Sequence, residues 1–369
     1  MQRLFLCECE EDGFCRRYNR EMRGRLREIC MGVNVDLGTA AAFREQWSRE
    51  VGFRASNIGK PMPLVLKTDQ APGDALVMTA AVWSLHRAHP NRYVTTVESK
   101  YPEVFEYNPD VEPREDFSCG AAEVQMHYPA IHQSNERGIH FMQAWCEFLG
   151  MALGVPVPLA TNRPRLYFAD PVPLVEGFWL ICSGGKRDFT TKLWGHANYQ
   201  KLVWLLKGEV EFVQVGGARP PVPWAESTRG TQEDSHPRLD GTVDMVGKTT
   251  LRELFELARR ARGIVCGVSL LMHVAAALEK PAIIVAGGRE PTAWNAYPRQ
   301  QYVHTVGALP CRDARGRSGG ACWRYRTVPL GDGTALDRDT CERPVDGAPE
   351  CMRLIMPQEI AALVMRYNS

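Results

Sequence analysis

The stretch Pro63–Leu85, PLVLKTDQAPGDALVMTAAVWSL, decides the fold. Leu64, Val65 and Leu66 form a short apolar run that reads as a buried strand. Pro72 and Gly73 interrupt it, and from Asp74 to about Ala88 the residues suit a helix. A strand, a short loop and a helix make the opening of an α/β unit. Open α/β sheets take their ligands beyond the carboxyl ends of the strands, and Asp74 stands at such an end. A lone carboxylate there is a candidate general base. The same residue also reads as a helix N-cap, a position that Asp fills well.

The pattern then repeats. Tyr93–Val97 reads as a strand, with a helical stretch near Tyr101–Tyr107. Ile139–Leu153 carries apolar residues at helical spacing and stops at Gly154, with Pro156 beyond. Asp170-Pro171-Val172-Pro173 has the composition of a linker. After it, strands are expected at Phe178–Cys182, Val210–Val215, Gly263–Cys266 and Ala282–Ala286. Helices are expected at Trp194–Leu206 and Leu271–Leu278, and a further one behind the capping box Thr250-Leu251-Arg252-Glu253. Alternating strands and helices imply parallel sheets. The expectation is an α/β chain with two Rossmann-like domains facing a cleft, plus Cys-rich metal-binding terminal segments. Residues 1–60 form a Cys- and Arg-rich head with a helical connector, 61–170 the first domain and 171–310 the second. Residues 311–369 hold a four-cysteine insert and a C-terminal helix.

Composition narrows the function. A chain of 369 residues is long for one core. A hydrophobic share of 44% and a charged share of 24% suit a soluble globular protein. The net charge of +1 provides no global field for nucleic acid or membrane. No apolar run reaches the roughly 18 residues of a membrane span. The start, MQRLFLCECEEDGF, is too short in apolar residues and too acidic for a signal peptide. A cytoplasmic location is therefore expected.

Twelve cysteines are many for such a chain, and eight of them fall into two groups of four. In a reducing compartment, grouped cysteines suggest metal rather than disulfides. Cys311, Cys322, Cys341 and Cys351 fit a structural four-thiolate site, with zinc and iron equally suited. Cys7, Cys9, Cys15 and Cys30 form a weaker pattern. Arg16, Arg17, Arg20, Arg23, Arg25 and Arg27 run alongside, diluted by acidic neighbours. This head could bind nucleic acid, but a solvated helix face is the ordinary reading.

Four short elements, in order, resemble glycosyltransferase family 9, the heptosyltransferases of GT-B fold. They are Gly73-Asp74-Ala75-Leu76-Val77-Met78-Thr79-Ala80-Ala81, Lys192-Leu193-Trp194, Gly247-Lys248-Thr249-Thr250-Leu251, and His273-Val274-Ala275-Ala276-Ala277-Leu278-Glu279-Lys280-Pro281. One position departs. The family usually has Asp-Ser-Gly before that histidine, its aspartate helping to hold the donor; here the triplet is Val268-Ser269-Leu270. The branch that modifies bacterial autotransporter proteins is similar in lacking this aspartate. It also carries a C-terminal cysteine finger, matched here by Gly320-Ala321-Cys322-Trp323, Cys341 and Glu350-Cys351-Met352.

The resemblance implies a sugar transferase with no catalytic metal, using a nucleotide sugar such as ADP-heptose and inverting the sugar carbon. Asp74 would deprotonate the acceptor hydroxyl, on a saccharide or a protein Ser/Thr. Lys192, Ser183, the Gly184-Gly185 amides and Thr191 would hold the diphosphate. The nucleobase would lie near Gly216, Gly217, Val246 and Gly247. Ser269, His273, Gly288 and Arg289 would complete the donor site, with Glu290 as a further contact or an ion-pair partner in the loop. His127, His132 and His140 would meet the acceptor. A homo-oligomer is compatible with this reading. The alternative is a noncatalytic, metal-stabilised binding or scaffold protein on the same fold. A nicotinamide oxidoreductase is disfavoured, because no strand is followed by G-x-G-x-x-G with a distal acid.

Overall fold

The computed structural model describes residues 5–6, 61–113, 121–127, 137–171, 175–217, 234–313, 316–323, 325–329 and 340–368. The chain divides into two compact units. One holds Met1–Ile131 and Phe141–Ala169, the other His132–His140 and Asp170–Ser369.

In the first unit, β1 (Phe5–Leu6), β2 (Met62–Thr68), β3 (Tyr93–Ser99) and β4 (Ala122–Gln125) form a sheet of order β1-β4-β2-β3. Strands β4, β2 and β3 are parallel, and β1 runs antiparallel at the edge. Helix α1 (Pro72–Ala88) starts two residues earlier than the sequence suggests. The fixed φ of Pro72 suits the first helical position, and its missing N–H costs nothing there. Helix α2 (Phe141–Leu153) packs beside α1. Leu64, Leu66, Leu76, Met78 and Trp145 are fully enclosed in this core.

The second unit is built on β5 (Trp179–Cys182), β7 (Phe212–Gln214), β9 (Val243–Asp244), β10 (Gly263–Gly267), β11 (Ala282–Gly287) and β12 (Gln300–His304). All six are parallel, in the order β12-β11-β10-β5-β7-β9. Between β5 and β7 lie β6 (Gly185–Lys186), a kinked 3-10 segment at Arg187–Lys192, and α3 (His196–Leu205). The two-residue β8 (Asp234–Ser235) pairs with β6. Helix α4 (Leu251–Arg260) opens on the expected capping box, with Thr250 and Glu253 bonding reciprocally, an arrangement that stabilises by about 1 kcal/mol. Helix α5 (Leu270–Ala277) follows β10, and the short α6 (Thr292–Asn295) follows β11.

Beyond β12 the chain forms the hairpin β13 (Pro344–Val345) and β14 (Ala348–Pro349), then α7 (Glu350–Arg353) and α8 (Pro357–Asn368). This last segment returns to the sheet. Ile360 and Val364 are enclosed with Trp179, Trp194, Tyr199 and Val285 in one cluster, and the indole N–H of Trp194 donates to the carbonyl of Ile355 at 2.9 Å. Gly263 lies opposite Trp179 across the β5–β10 pair. A Cβ there would meet the indole at 2.5 Å, so the sheet needs glycine at that spot. Among the described residues no helix is long and apolar enough to cross a membrane.

Candidate functional site

In the second unit the expected donor residues gather at the carboxyl ends of four adjacent strands, β11, β10, β5 and β7. Ser183, Gly184 and Gly185 follow β5, and Ser269 follows β10. Gly288 and Arg289 follow β11, and Gly216 and Gly217 follow β7. The amide of Gly247 donates to the carbonyl of Gly216 at 3.0 Å, which joins Val246 and Gly247 to the same edge. This crevice outside the strand ends is where such sheets bind ligands.

Several of these groups already have partners. Ser183 is buried, and its hydroxyl accepts from Gln214 Nε2 at 3.1 Å. The hydroxyl of Thr191 donates to the carbonyls of Tyr325 and Arg326 at 3.2 and 3.0 Å, and the Thr191 amide donates to Arg326 as well. Thr190 accepts from the Val328 amide at 2.9 Å. The turn ahead of Lys192 is thus tied to the cysteine-bearing segment, a link that sequence spacing does not reveal.

Lys192 is half-buried, with a quarter of its side chain open. Its ammonium lies 2.6 Å from Glu290 Oε1 and 5.3 Å from the Phe189 ring centre. Arg289 and Arg326 also lie over that ring, at 4.9 and 4.5 Å. Three cations around one aromatic ring make a positive corner, and the ring's quadrupole eases their mutual repulsion. Phe189 and Arg326 were not identifiable from sequence, because neither belongs to a recognisable motif. Such a corner can neutralise a diphosphate.

His273 is buried, its Nδ1 2.8 Å from the Tyr297 hydroxyl. Burial pushes its pKa down to about 3, with His140 and Lys192 adding repulsion. His140 belongs to the second unit and packs edge-on against Tyr297 at 4.7 Å. Burial lowers its pKa to about 4, opposed by hydrogen bonds to the backbone of Ala296 and Asn295. Both rings are therefore neutral near pH 7. His127 lies in the first unit, beyond β4, and His132 lies outside the described residues.

Asp74 occupies the first turn of α1, three positions after the N-cap residue Ala71. The N-cap reading is thus corrected: Pro72 and Gly73 fill the first two helical positions. The carboxylate still sits where the helix dipole favours negative charge.

Cys311, Cys322, Cys341 and Cys351 line one pocket, shared with Thr191, Arg289 and Tyr325. Burial, and then the neighbouring thiols, push Cys322 up to about 12, and burial takes Cys341 up to about 11. The donor chemistry fits a thiolate-bound metal. Among the described residues no three His, Cys, Asp or Glu side chains are gathered as metal ligands. Cys7, Cys9, Cys15 and Cys30 lie outside the described residues.

Residues 132–319, about half of the chain, match the sequence model of glycosyltransferase family 9 (heptosyltransferase). Lipooligosaccharide heptosyltransferase 2 of Haemophilus influenzae is 32% identical over 100 residues, 27% of this chain and 28% of that protein. Its namesake in Haemophilus ducreyi is 32% identical over 127 residues, 34% of this chain and 35% of that protein. The matched stretch thus spans about a third of these relatives' length. In structure the chain is similar to the iron-containing dodecameric glycosyltransferase TibC of enterotoxigenic E. coli, at 17% identity and a TM-score of 0.55, over 84% of this chain and 76% of that one. It is also similar to a family 9 glycosyl transferase of Veillonella parvula, at 11% identity and a TM-score of 0.56, over 84% and 97%. At these identities the likeness is one of fold.

Proposed function

The chain belongs to glycosyltransferase family 9, the heptosyltransferase family, and from that premise we propose that it is an enzyme transferring a sugar from a nucleotide sugar to a hydroxyl. The donor in this reading is ADP-heptose or a close relative. A structure of TibC holds ADP-D-β-D-heptose, which supports the choice. The observation that carries the proposal is the corner formed by Lys192, Arg289 and Arg326 beside the ends of β5, β10 and β11. Breaking a sugar–phosphate bond leaves negative charge on the diphosphate, and fixed cations lower the cost of that charge.

The mechanism proposed is direct displacement with inversion. Asp74 takes the proton of the acceptor hydroxyl as its oxygen attacks the anomeric carbon. The bond to the diphosphate breaks, and Lys192 with the Gly184-Gly185 amides receives the leaving group. Ser269, Gly288 and Arg289 complete the donor site, and the acceptor is a saccharide or a protein Ser/Thr. The nucleobase lies against Gly216, Gly217, Val246 and Gly247. His127, His132 and His140 are acceptor contacts in this reading. His273 shapes the site from within the core through Tyr297.

We further propose a structural zinc or iron ion at Cys311, Cys322, Cys341 and Cys351, supported by their shared pocket. It would fix the segment that carries Arg326 and supply no chemistry to the transfer. The location proposed is the cytoplasm, and a homo-oligomer is compatible, TibC being dodecameric.

A thermal-shift screen with ADP-, UDP-, GDP- and CMP-sugars tests the whole reading. Stabilisation by ADP-heptose, with release of ADP on adding acceptor, is expected. No response to any nucleotide sugar would leave the noncatalytic binding reading in its place.

A further inference from the structure

Glu290 is a buried carboxylate at the end of β11, its side chain 4% exposed. Oε1 forms an ion pair with Lys192 Nζ at 2.6 Å and accepts from Arg289 Nη1 at 2.5 Å, and Oε2 accepts from the Asn295 amide. Burying a carboxylate alone is costly, and a site of this kind persists only where the charge is well paired. Two cations, Lys192 and Arg289, thus share the single charge of Glu290.

Glu290 is itself held from the cysteine-bearing segment. Arg289 Nε donates to the Tyr325 carbonyl at 3.1 Å, and its guanidinium lies 5.0 Å from the Trp323 ring centre. The Cys322 amide donates to the Gly288 carbonyl at 3.1 Å. A Cβ on Gly288 would meet Cys351 Cβ at 3.2 Å, a tight contact, so the bare glycine lets the two segments lie this near. The chain from Gly288 to Glu290 is therefore gripped on both sides by residues next to cysteines.

We propose that Glu290 is the positioning residue of the donor site: it holds the Lys192 ammonium toward the diphosphate, while the cysteine-bearing segment holds Glu290. A free lysine side chain loses much rotamer entropy when it grips a phosphate. A lysine already fixed by a buried partner has lost that freedom before the ligand arrives, which is preorganisation. The proposal rests on the reading of Lys192 as a diphosphate contact. The opposite arrangement, in which Glu290 competes with the phosphates for Lys192, predicts the reverse effect of neutralising it.

The test is calorimetric titration of the full chain with ADP and with AMP. The variants are Glu290→Gln, Glu290→Asp, Lys192→Ala and the double variant of Glu290→Gln with Lys192→Ala. ADP affinity is expected to fall about tenfold in E290Q and to recover in part in E290D, while AMP affinity changes by less than about twofold. Adding E290Q to K192A should cost nothing more, because the carboxylate acts through the lysine. Should E290Q fail to fold, Asn295→Ala removes one holder of Glu290 and should weaken ADP about threefold. Unchanged or tighter ADP binding by the folded variants, or losses that multiply in the double variant, would overturn the proposal. Wild-type protein that binds none of ADP, UDP, GDP and CDP would instead bring down the donor-site reading, and the role of Glu290 with it.

Discussion

The hydroxyl of Thr191 donates to the carbonyl oxygen of Arg326 at 3.0 Å. The residue before Lys192 is thereby fastened to a segment far along the chain, and Thr191 itself is buried. Thr191→Val keeps the shape and removes the donor. It should lower stability by about 1–2 kcal/mol, seen as a shifted urea midpoint. ADP affinity should fall with it, since the turn bearing Lys192 loses its anchor. A variant with wild-type midpoint and affinity would show the seam to be incidental.

Asp74→Asn removes the proposed base and leaves the first turn of α1 in place. Turnover should drop by about 10²–10⁴, measured as ADP release from ADP-heptose with acceptor present. Donor affinity should stay unchanged, since Asp74 belongs to the first unit. Full turnover in this variant would remove Asp74 from the mechanism.

Arg326→Ala takes one cation from the corner around Phe189. The expected result is a loss of about threefold to tenfold in ADP affinity, weakening as salt is raised, since an exposed cation is screened. Equal losses for ADP and for adenosine would mean that Arg326 does not face phosphate.

Metal should copurify with the protein, and X-ray absorption should show sulfur ligands around it. Cys322→Ser and Cys351→Ser should each release the metal and lower the melting temperature, as structural thiolate sites contribute directly to folding. Metal-free protein that melts at the same temperature would dismiss the site.

Acid should destabilise the second unit through His273 and His140. Their folded pKa values, about 3 and about 4, lie below the ordinary value of 6.5. Between these limits the unfolded chain binds protons that the folded chain does not. The stability their burial permits is full above pH 6.5 and falls as pH drops toward 4 and then 3. The slope reaches about 1.4 kcal/mol per pH unit for each ring. Denaturation midpoints from pH 7 to 4.5 measure it, and His273→Gln should flatten the curve.

The elements legible in the sequence are those whose apolar runs leave one choice. Leu64–Leu66, Ile181-Cys182 and Ile283–Val285 can bury themselves only as central parallel strands, and they do. The capping box at Thr250 is legible for a different reason: both halves of the motif lie within four residues. Gln300–His304 is harder, because an edge strand buries only part of itself and tolerates glutamine and histidine. The start of α1 was displaced because Pro72 reads as a breaker, although it also begins helices well. In the site, Lys192 and Gly288 stand in recognisable contexts. Phe189, Arg326 and Asn295 do not, since their meaning comes from neighbours brought close by the topology alone.

Helix α8 has a consequence for how the molecule is made. Its Ile360 and Val364 share a core with Trp179, which precedes them by most of the second unit. A ribosome releases those strands long before it supplies the helix that covers them. During that interval Trp194 lacks the Ile355 carbonyl it will later bind, and apolar faces of β5 and β11 remain uncovered. The second unit is thus a late-closing structure with many contacts distant in sequence, and folds of that kind form slowly. The nascent chain would need shielding from its neighbours until α8 emerges.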